Sequence, residues 1–379
     1  MTQNPTPKVL IVSHTAYMGG AERVLLRFLG EQQIGQFCLL APEGPLAEAA
    51  RQLGLNLRVS KGLAPLKRES NPLWPAVFFY RFLRASVEIC VAVLAEGSQI
   101  LQANGYASMP YLLLPRLFCA KPLVWHMHDF KPGVASGVLC RLFGAFSLKV
   151  VCVSESVATA LKDQGLRREK LTVIPNHIRR EHLSDGALLP LAQELRGRGQ
   201  RLLGMMGSLE TRKGFLEVLD ALAQLPEGRW HLLIAGSAHS ASQERYQQAL
   251  ETKVAELGLQ EQVTFLGQQE DAGAFYASLD LFLHYPKEPD PLPTVLLEAL
   301  VSGLPVAAND LGGNPEILAQ GRWGRLVPAG DLGALVEVLN DPPPAPSPAD
   351  QAALLAHFSL AHKEGAFLAL YQQALGAHG

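Results

Sequence analysis

Five short segments of this chain carry glycines, cations, histidines or carboxylates at spacings that could handle an anion. The first is Met18-Gly19-Gly20-Ala21-Glu22-Arg23, which follows a β-rich run and opens a stretch of helical spacing. Glycine lets a backbone come close to a ligand, and a helix start offers unpaired N–H groups with a partial positive charge. The spacing is not the G-x-G-x-x-G dinucleotide fingerprint, and a plain tight turn explains it equally well. The second segment is His126-Met127-His128-Asp129. Two histidines one residue apart on a strand share a face, but no further ligand cluster lies near them in sequence, so no metal site is expected. His128 at a strand end could hydrogen-bond a hydroxyl or face a developing charge. A satisfied structural histidine is the alternative, and more so for His126.

The other three segments lie in the second half. Gly207-Ser208-Leu209-Glu210-Thr211-Arg212-Lys213-Gly214 places two cations where the helix Phe215–Leu225 is expected to begin. A helix start favours negative charge, so a bound anion would resolve the conflict; solvated surface cations are the alternative. In Asp290-Pro291-Leu292-Pro293-Thr294-Val295-Leu296-Leu297-Glu298, prolines hold the chain extended and Thr294 reads as a helix cap. The N–H groups at that helix start could hold a diphosphate. Glu298 sits one turn further along an otherwise apolar helix, where a buried carboxylate needs a partner. Ribose hydroxyls or a backbone amide would serve. Gly312-Gly313-Asn314-Pro315-Glu316 reads as a turn with close backbone approach before a helix that opens on proline.

These segments need elements to position them, and the pattern along the chain is strand, helix, strand, helix, in two series. The first has apolar strand candidates at Lys8–Ser13, Phe37–Ala41, Leu55–Val59, Gln99–Ala103, Leu123–Met127, Val150–Val153 and Leu171–Ile174. The second has them at Leu202–Met206, Trp230–Ala235, Val263–Leu266, Leu281–His284, Pro305–Ala308 and Arg325–Val327. Apolar strands alternating with helices predict an α/β fold of two Rossmann-like, doubly wound parallel sheets. Residues 1–180 form the expected first domain and 181–359 the second, with Pro175–Gly199 as the connection. Residues Asp350–Leu375 read as one closing helix, and 360–379 are expected to pack back on the first domain. Ligands of such sheets bind at the carboxyl ends of the strands, near a switch in strand order.

Composition narrows the partners. Of the 379 residues, 48% are hydrophobic and 18% charged, which suits two packed cores. A net charge of −2 lacks the basic footprint of a nucleic-acid binder. The five cysteines show no C-x-x-C spacing and read as buried free thiols of a reducing compartment. With no signal-like leader and no apolar run long enough to span a bilayer, a cytoplasmic location is expected. Pro72–Leu94 mixes Trp74, Phe78, Phe79 and Tyr80 with Arg81 and Arg84, after Lys67 and Arg68. That mixture fits peripheral contact with the cytosolic face of an anionic membrane; a helix with one buried apolar face is the alternative.

In their order and spacing the five segments, with Pro175-Asn176 and Gly303-Leu304-Pro305-Val306, resemble the family 4 retaining glycosyltransferases from Val9 to about Asp331. The resemblance implies the GT-B fold, with two lobes facing across a cleft. It also implies transfer of a sugar, with retention and without a metal or other cofactor, from a UDP- or GDP-sugar to a hydroxyl of a lipid-linked or polysaccharide acceptor. Residue by residue it implies donor contacts from Gly19, Gly20, Gly207, Lys213, Thr294, Val295 and Glu298, with His128 facing the sugar ring and Asp290 contacting the donor sugar. Two positions depart from the family pattern. Ser208 stands where an arginine usually partners the lysine, leaving Arg212 as the nearest substitute cation, and Asp290 replaces the first glutamate of an E-x7-E motif. The competing readings are another GT-B enzyme, such as an epimerase or a phosphorylase, and a non-catalytic sugar-nucleotide-binding protein.

Overall fold

Parallel strands bury both faces, and the near-continuous apolar strand sequences meet that demand. The computed structural model describes residues 6–63, 74–130, 133–183 and 188–376. Lys67, Arg68 and Pro72, and the side chain of Trp74, lie outside the described residues. The chain divides into two units. Met1–His177 and Leu360–Gly379 make the first, and Ile178–Ser359 the second.

The first unit holds strands β1 (Lys8–Ser13), β2 (Gln36–Ala41), β3 (Leu57–Val59), β4 (Ile100–Asn104), β5 (Leu123–Met127), β6 (Lys149–Cys152) and β7 (Leu171–Val173). They pair in the order β3-β2-β1-β4-β5-β6-β7, all parallel. The second unit holds β8 (Leu202–Met206), β9 (His231–Ala235), β10 (Val263–Gly267), β11 (Leu281–His284), β12 (Val306–Asn309) and β13 (Arg325–Val327). Its order, β10-β9-β8-β11-β12-β13, is likewise parallel throughout. Both sheets therefore reverse their winding beside their first strand, between β1 and β4 and between β8 and β11. A crevice opens at such a switch point.

The last helix, Leu360–Gly376, belongs to the first unit. Phe367 packs on Phe28 at 5.3 Å and edge-on to His126 at 5.5 Å between ring centroids. The buried Tyr371 hydroxyl donates to Gln102 Oε1 at 2.6 Å.

Four expectations change. The stretch 175–199 is not only a connection, because Pro190–Gly197 forms a helix of the second unit with Ala192 and Leu195 buried. The closing segment is two helices, Pro348–His357 and Leu360–Gly376, and the break at Phe358-Ser359 is where the chain leaves the second unit. There Phe358 is buried, and its carbonyl accepts from the Ile178 amide at 2.8 Å. Thr294 does not cap its helix. Pro293 takes that position and Thr294 is the first helical residue. Finally, Cys38, Cys140 and Cys152 are buried thiols as expected, whereas Cys90 and Cys119 are half-buried and hydrogen-bonded to each other.

Candidate active site

The second unit gathers its charged residues at the carboxyl ends of β8 and β11. After β8 the chain turns at Gly207 and forms a short 3-10 turn, Thr211–Lys213, ahead of the helix Phe215–Leu222. Gly214 links them at φ +74°, and a Cβ there would stand 1.8 Å from the Tyr285 carbonyl oxygen. Only glycine fits that position, and it brings the turn against the end of β11. The Lys213 ammonium consequently donates to Asp290 Oδ2 at 2.7 Å, with both side chains largely buried (13% and 14% exposed).

A second glycine pair holds the other partner. Gly312, at φ +63°, and Gly313 would carry Cβ atoms 2.4 Å and 2.3 Å from the carbonyl oxygens of Asp290 and Pro291. The Gly313 amide donates to the Asp290 carbonyl at 2.8 Å. The close backbone approach expected at this turn is thus an approach to the Asp290-Pro291 strand of chain. It fixes the carboxylate and the start of the helix that follows, Thr294–Val301.

Burial works against a charged Asp290, but the Lys213 and Arg212 charges outweigh it and hold the carboxyl below its usual range. His284, at the end of β11, lies with Nε2 4.0 Å from the same carboxylate. Burial, helped by the Lys213 charge, pushes its pKa down to about 3, so the imidazole is neutral. Glu210 organises the neighbouring positions. It accepts from Arg212 Nε at 2.6 Å and Gln243 Nε2 at 3.0 Å, and from the Ser208 hydroxyl. Burial opposes its charge, yet Arg212 and these donors keep it ionised. The conflict expected from two cations near a helix start is met by two carboxylates, Asp290 and Glu210.

Beyond Asp290, the first amides of the helix Thr294–Val301 precede any possible i→i−4 acceptor in the helix. The helix has no side-chain cap. One turn in, Glu298 Oε2 accepts from the Tyr276 hydroxyl at 3.0 Å, and that hydroxyl also lies 3.1 Å from the Val295 carbonyl. Burial and the Glu298 charge drive the Tyr276 pKa well up, so the phenol stays a donor.

The first unit presents a different set. Gly19 is the N-cap of the helix Gly20–Glu31, and its amide donates to Glu22 Oε2 at 3.1 Å. A Cβ on Gly20 would meet nothing within 4 Å. Burial raises the Glu22 pKa against the pull of these backbone donors, and Asp129 raises it further. His128 follows β5, with Nε2 2.9 Å from Oδ1 of Asn104 at the end of β4. The His126 and His128 rings lie on one face with centroids 4.0 Å apart. Burial, with the Lys363 charge behind it, pushes His128 down to about 3 and His126 well below its usual value. Neither ring nitrogen of His126 has a hydrogen-bond partner among the described residues.

The sequence matches known protein families along most of its length. Residues 191–341 fit the family model described as "Glycosyl transferases group 1", and residues 18–182 fit "Glycosyltransferase Family 4". The chain belongs to the family 4 glycosyltransferases. Among its relatives, phosphatidyl-myo-inositol mannosyltransferase of Mycobacterium leprae is 34% identical over 170 residues, covering 44% of this chain and 42% of that protein. A lipopolysaccharide core biosynthesis mannosyltransferase of Rhizobium meliloti is 29% identical over 142 residues, covering 36% and 40%. The matches span about two-fifths of the length of these curated relatives. HepE of Anabaena, solved with UDP, superposes with a TM-score of 0.75 at 22% identity over 98% of both chains. A glycosyltransferase of Rickettsia africae superposes at 0.80 with 17% identity over 98% and 99%. The architecture is GT-B.

Within this family 4 chain, the second unit brings Gly207, Ser208, Arg212, Lys213 and Asp290 together around the β8–β11 switch, with Thr294, Val295 and Glu298 on the next helix. The first unit places Gly19, Gly20 and His128 near its own switch. The residue-by-residue reading missed His284, Tyr276 and Asn104. His284 and Asn104 carried one legible signal, a polar residue closing an apolar strand. Tyr276 carried none, since 22 residues separate it from Glu298.

Proposed function

We propose that this chain is a retaining glycosyltransferase that moves a sugar from a nucleoside-diphosphate donor to a hydroxyl of a lipid-linked or polysaccharide acceptor. One observation carries the reading. The Lys213 ammonium is anchored on Asp290, and four residues beyond Asp290 a helix begins without a side-chain cap. A lysine has three N–H donors and the Asp290 bond takes one. A diphosphate seated there would meet a cation and the oriented amides of Thr294 and Val295.

The reaction breaks the bond between the anomeric carbon and the diphosphate oxygen, whose electron pair leaves with the phosphate. Lys213, Arg212 and the helix amides stabilise that growing charge, the task a divalent metal performs in other transferases, so the mechanism proposed here uses none. The acceptor hydroxyl attacks from the leaving-group side, its proton passes to a phosphate oxygen, and configuration is retained. Asp290 contacts the donor sugar once the phosphate shares its lysine. Gly207 and Ser208 line the phosphate turn, and Glu298, steadied by Tyr276, takes the ribose hydroxyls. Gly19, Gly20 and His128 are assigned to the sugar and the acceptor side.

The relatives' names, which include a phosphatidyl-myo-inositol and a lipopolysaccharide-core mannosyltransferase, support a glycolipid or glycan acceptor. HepE, solved with UDP-glucose, supports a nucleotide sugar as donor. The experiment is incubation with a panel of UDP- and GDP-sugars, with and without lipid and oligosaccharide acceptors, in the presence and absence of a chelator. Chelator-insensitive turnover of one donor with an α-configured product from an α-configured donor is expected. Binding without turnover across the panel would replace the reading with a sugar-nucleotide-binding protein.

A further inference from the structure

Asp290 Oδ2 faces two nitrogens, and only one of them is within hydrogen-bond distance. Lys213 Nζ stands at 2.7 Å and His284 Nε2 at 4.0 Å. Both acid and imidazole are largely buried, with side chains 14% and 5% exposed. Among the described residues, Nε2 of His284 makes no hydrogen bond, and a buried polar atom without a partner is costly. His284 closes the strand β11, whose other residues, Leu281, Phe282 and Leu283, are apolar and buried. Its neighbour in register on β12 is Ala308, which has no polar side-chain atom to offer. An aliphatic side chain would fill this place without that cost. The imidazole therefore calls for a partner that a second state of the site supplies.

The charges around His284 define that state. Lys213 is matched by Asp290 at 2.7 Å and Arg212 by Glu210 at 2.6 Å. These four charges cancel in pairs, and Ser208, where the family pattern has an arginine, adds no cation. A phosphate that shares Lys213 draws the ammonium off Asp290. The carboxylate is then largely buried and short of a partner, which is strongly unfavourable. His284 Nε2 has to move only about 1 Å to reach hydrogen-bond distance from it. Burial comes first in keeping the imidazole neutral; Lys213 and Arg212, from the turn after β8, add to it, and Asp290 opposes them. With Lys213 turned to a phosphate, whose own charge is negative, the balance moves toward the imidazolium.

We propose that His284 takes up a proton from solvent when a donor diphosphate engages Lys213, and that the resulting imidazolium holds Asp290 and releases Lys213 for the leaving group. The diphosphate seat is that of the proposed function, on which this step rests. His284 is thus a positioning residue that acts through Asp290, and the proton it gains turns cancelled charges into a net cation beside the phosphate.

The test is titration calorimetry of the full chain with UDP-glucose and GDP-mannose, whose esterified diphosphates have no group that titrates near neutrality. Each is run at pH 6 and pH 7.5 in PIPES and in ACES, buffers that differ in heat of ionisation, so that proton uptake appears as a difference in observed heat. Net uptake at pH 6 that shrinks at pH 7.5 is expected, with an affinity that falls by no more than about tenfold per pH unit. His284→Asn has no group to take the proton and should bind with equal heats in both buffers and an affinity independent of pH. Should that variant not fold, NMR titration of the wild-type imidazoles with and without donor carries the same test: one of them should titrate closer to neutrality only when the donor is bound. Donor binding with equal heats in the wild type would overturn the proton step and leave the diphosphate seat standing. Uptake that persists in His284→Asn would assign the proton to another group and overturn it too. No binding of either donor, or of the other UDP- and GDP-sugars of the panel, would remove the seat and this step with it.

Discussion

The two sheets share one order over six strands yet end in different electrostatics. Around β8 and β11 the second unit keeps its groups ionised, with Lys213 on Asp290 and Arg212 on Glu210. At the end of β5 the first unit keeps its two histidines neutral, since burial holds His126 and His128 unprotonated. The difference teaches that topology locates a crevice while side chains decide what it can hold. Paired ions can re-pair with an incoming phosphate. Neutral imidazoles suit uncharged hydroxyls, which a fixed charge would only desolvate at a cost.

The largest expected effect tests the ionised side. Lys213→Ala should lower turnover by about 10²–10³-fold, the usual loss for one leaving-group donor. It also strands a buried Asp290, a loss of about 3–5 kcal/mol in stability. Lys213→Ala, Asp290→Asn removes the stranded charge, so it should recover stability but not turnover. Steady-state kinetics beside thermal melts separate the two, and near-normal turnover in Lys213→Ala would erase the contrast between the units.

A smaller effect sharpens the contrast within the second unit. Tyr276→Phe removes the phenol that donates to Glu298, a charge-assisted bond typically worth about 1.5–3 kcal/mol. Nucleotide affinity measured by calorimetry should fall several-fold while the protein stays folded. If affinity for UDP and GDP is unchanged, Glu298 is not held ready for the ribose.

The smallest effect concerns the neutral side and appears only as a pH dependence. Lys363, 2% exposed on the last helix, lies 5.1 Å over the Phe28 ring. Burial, with the nearby Arg27 charge, pushes its pKa down to about 7, against about 10.4 unfolded. Between those values the unfolded chain binds the extra proton, so this residue's contribution to stability rises with pH from about 7 upward and is lost as pH falls through 7. Lys363→Met should therefore raise the melting temperature more at pH 6 than at pH 9. An equal shift at both would show that the ammonium is not confined as its surroundings imply.

Local pattern made much of this legible. Periodicity located most of the strands, because β runs buried on both faces must be apolar along their length. The Lys213-Gly214 and Asp290–Glu298 segments stood out because glycine, proline and charge occur there against an apolar background. The helix Pro190–Gly197 was hidden by its charge and glycine, and the break at Phe358-Ser359 by helix-compatible residues on both sides. Those boundaries follow from which unit the chain packs against, a fact outside any local window.

The amino-acid sequence alone determined the alternation of elements, the glycines at backbone crossings and the types of group near each strand end, since these depend on neighbours a few residues apart. Tertiary structure alone decided which charges met. Asp290 answers Lys213, Glu210 answers Arg212, and Tyr276 answers Glu298. Pairing of this kind depends on strand order and close backbone approach, which join residues that one-dimensional spacing leaves unrelated.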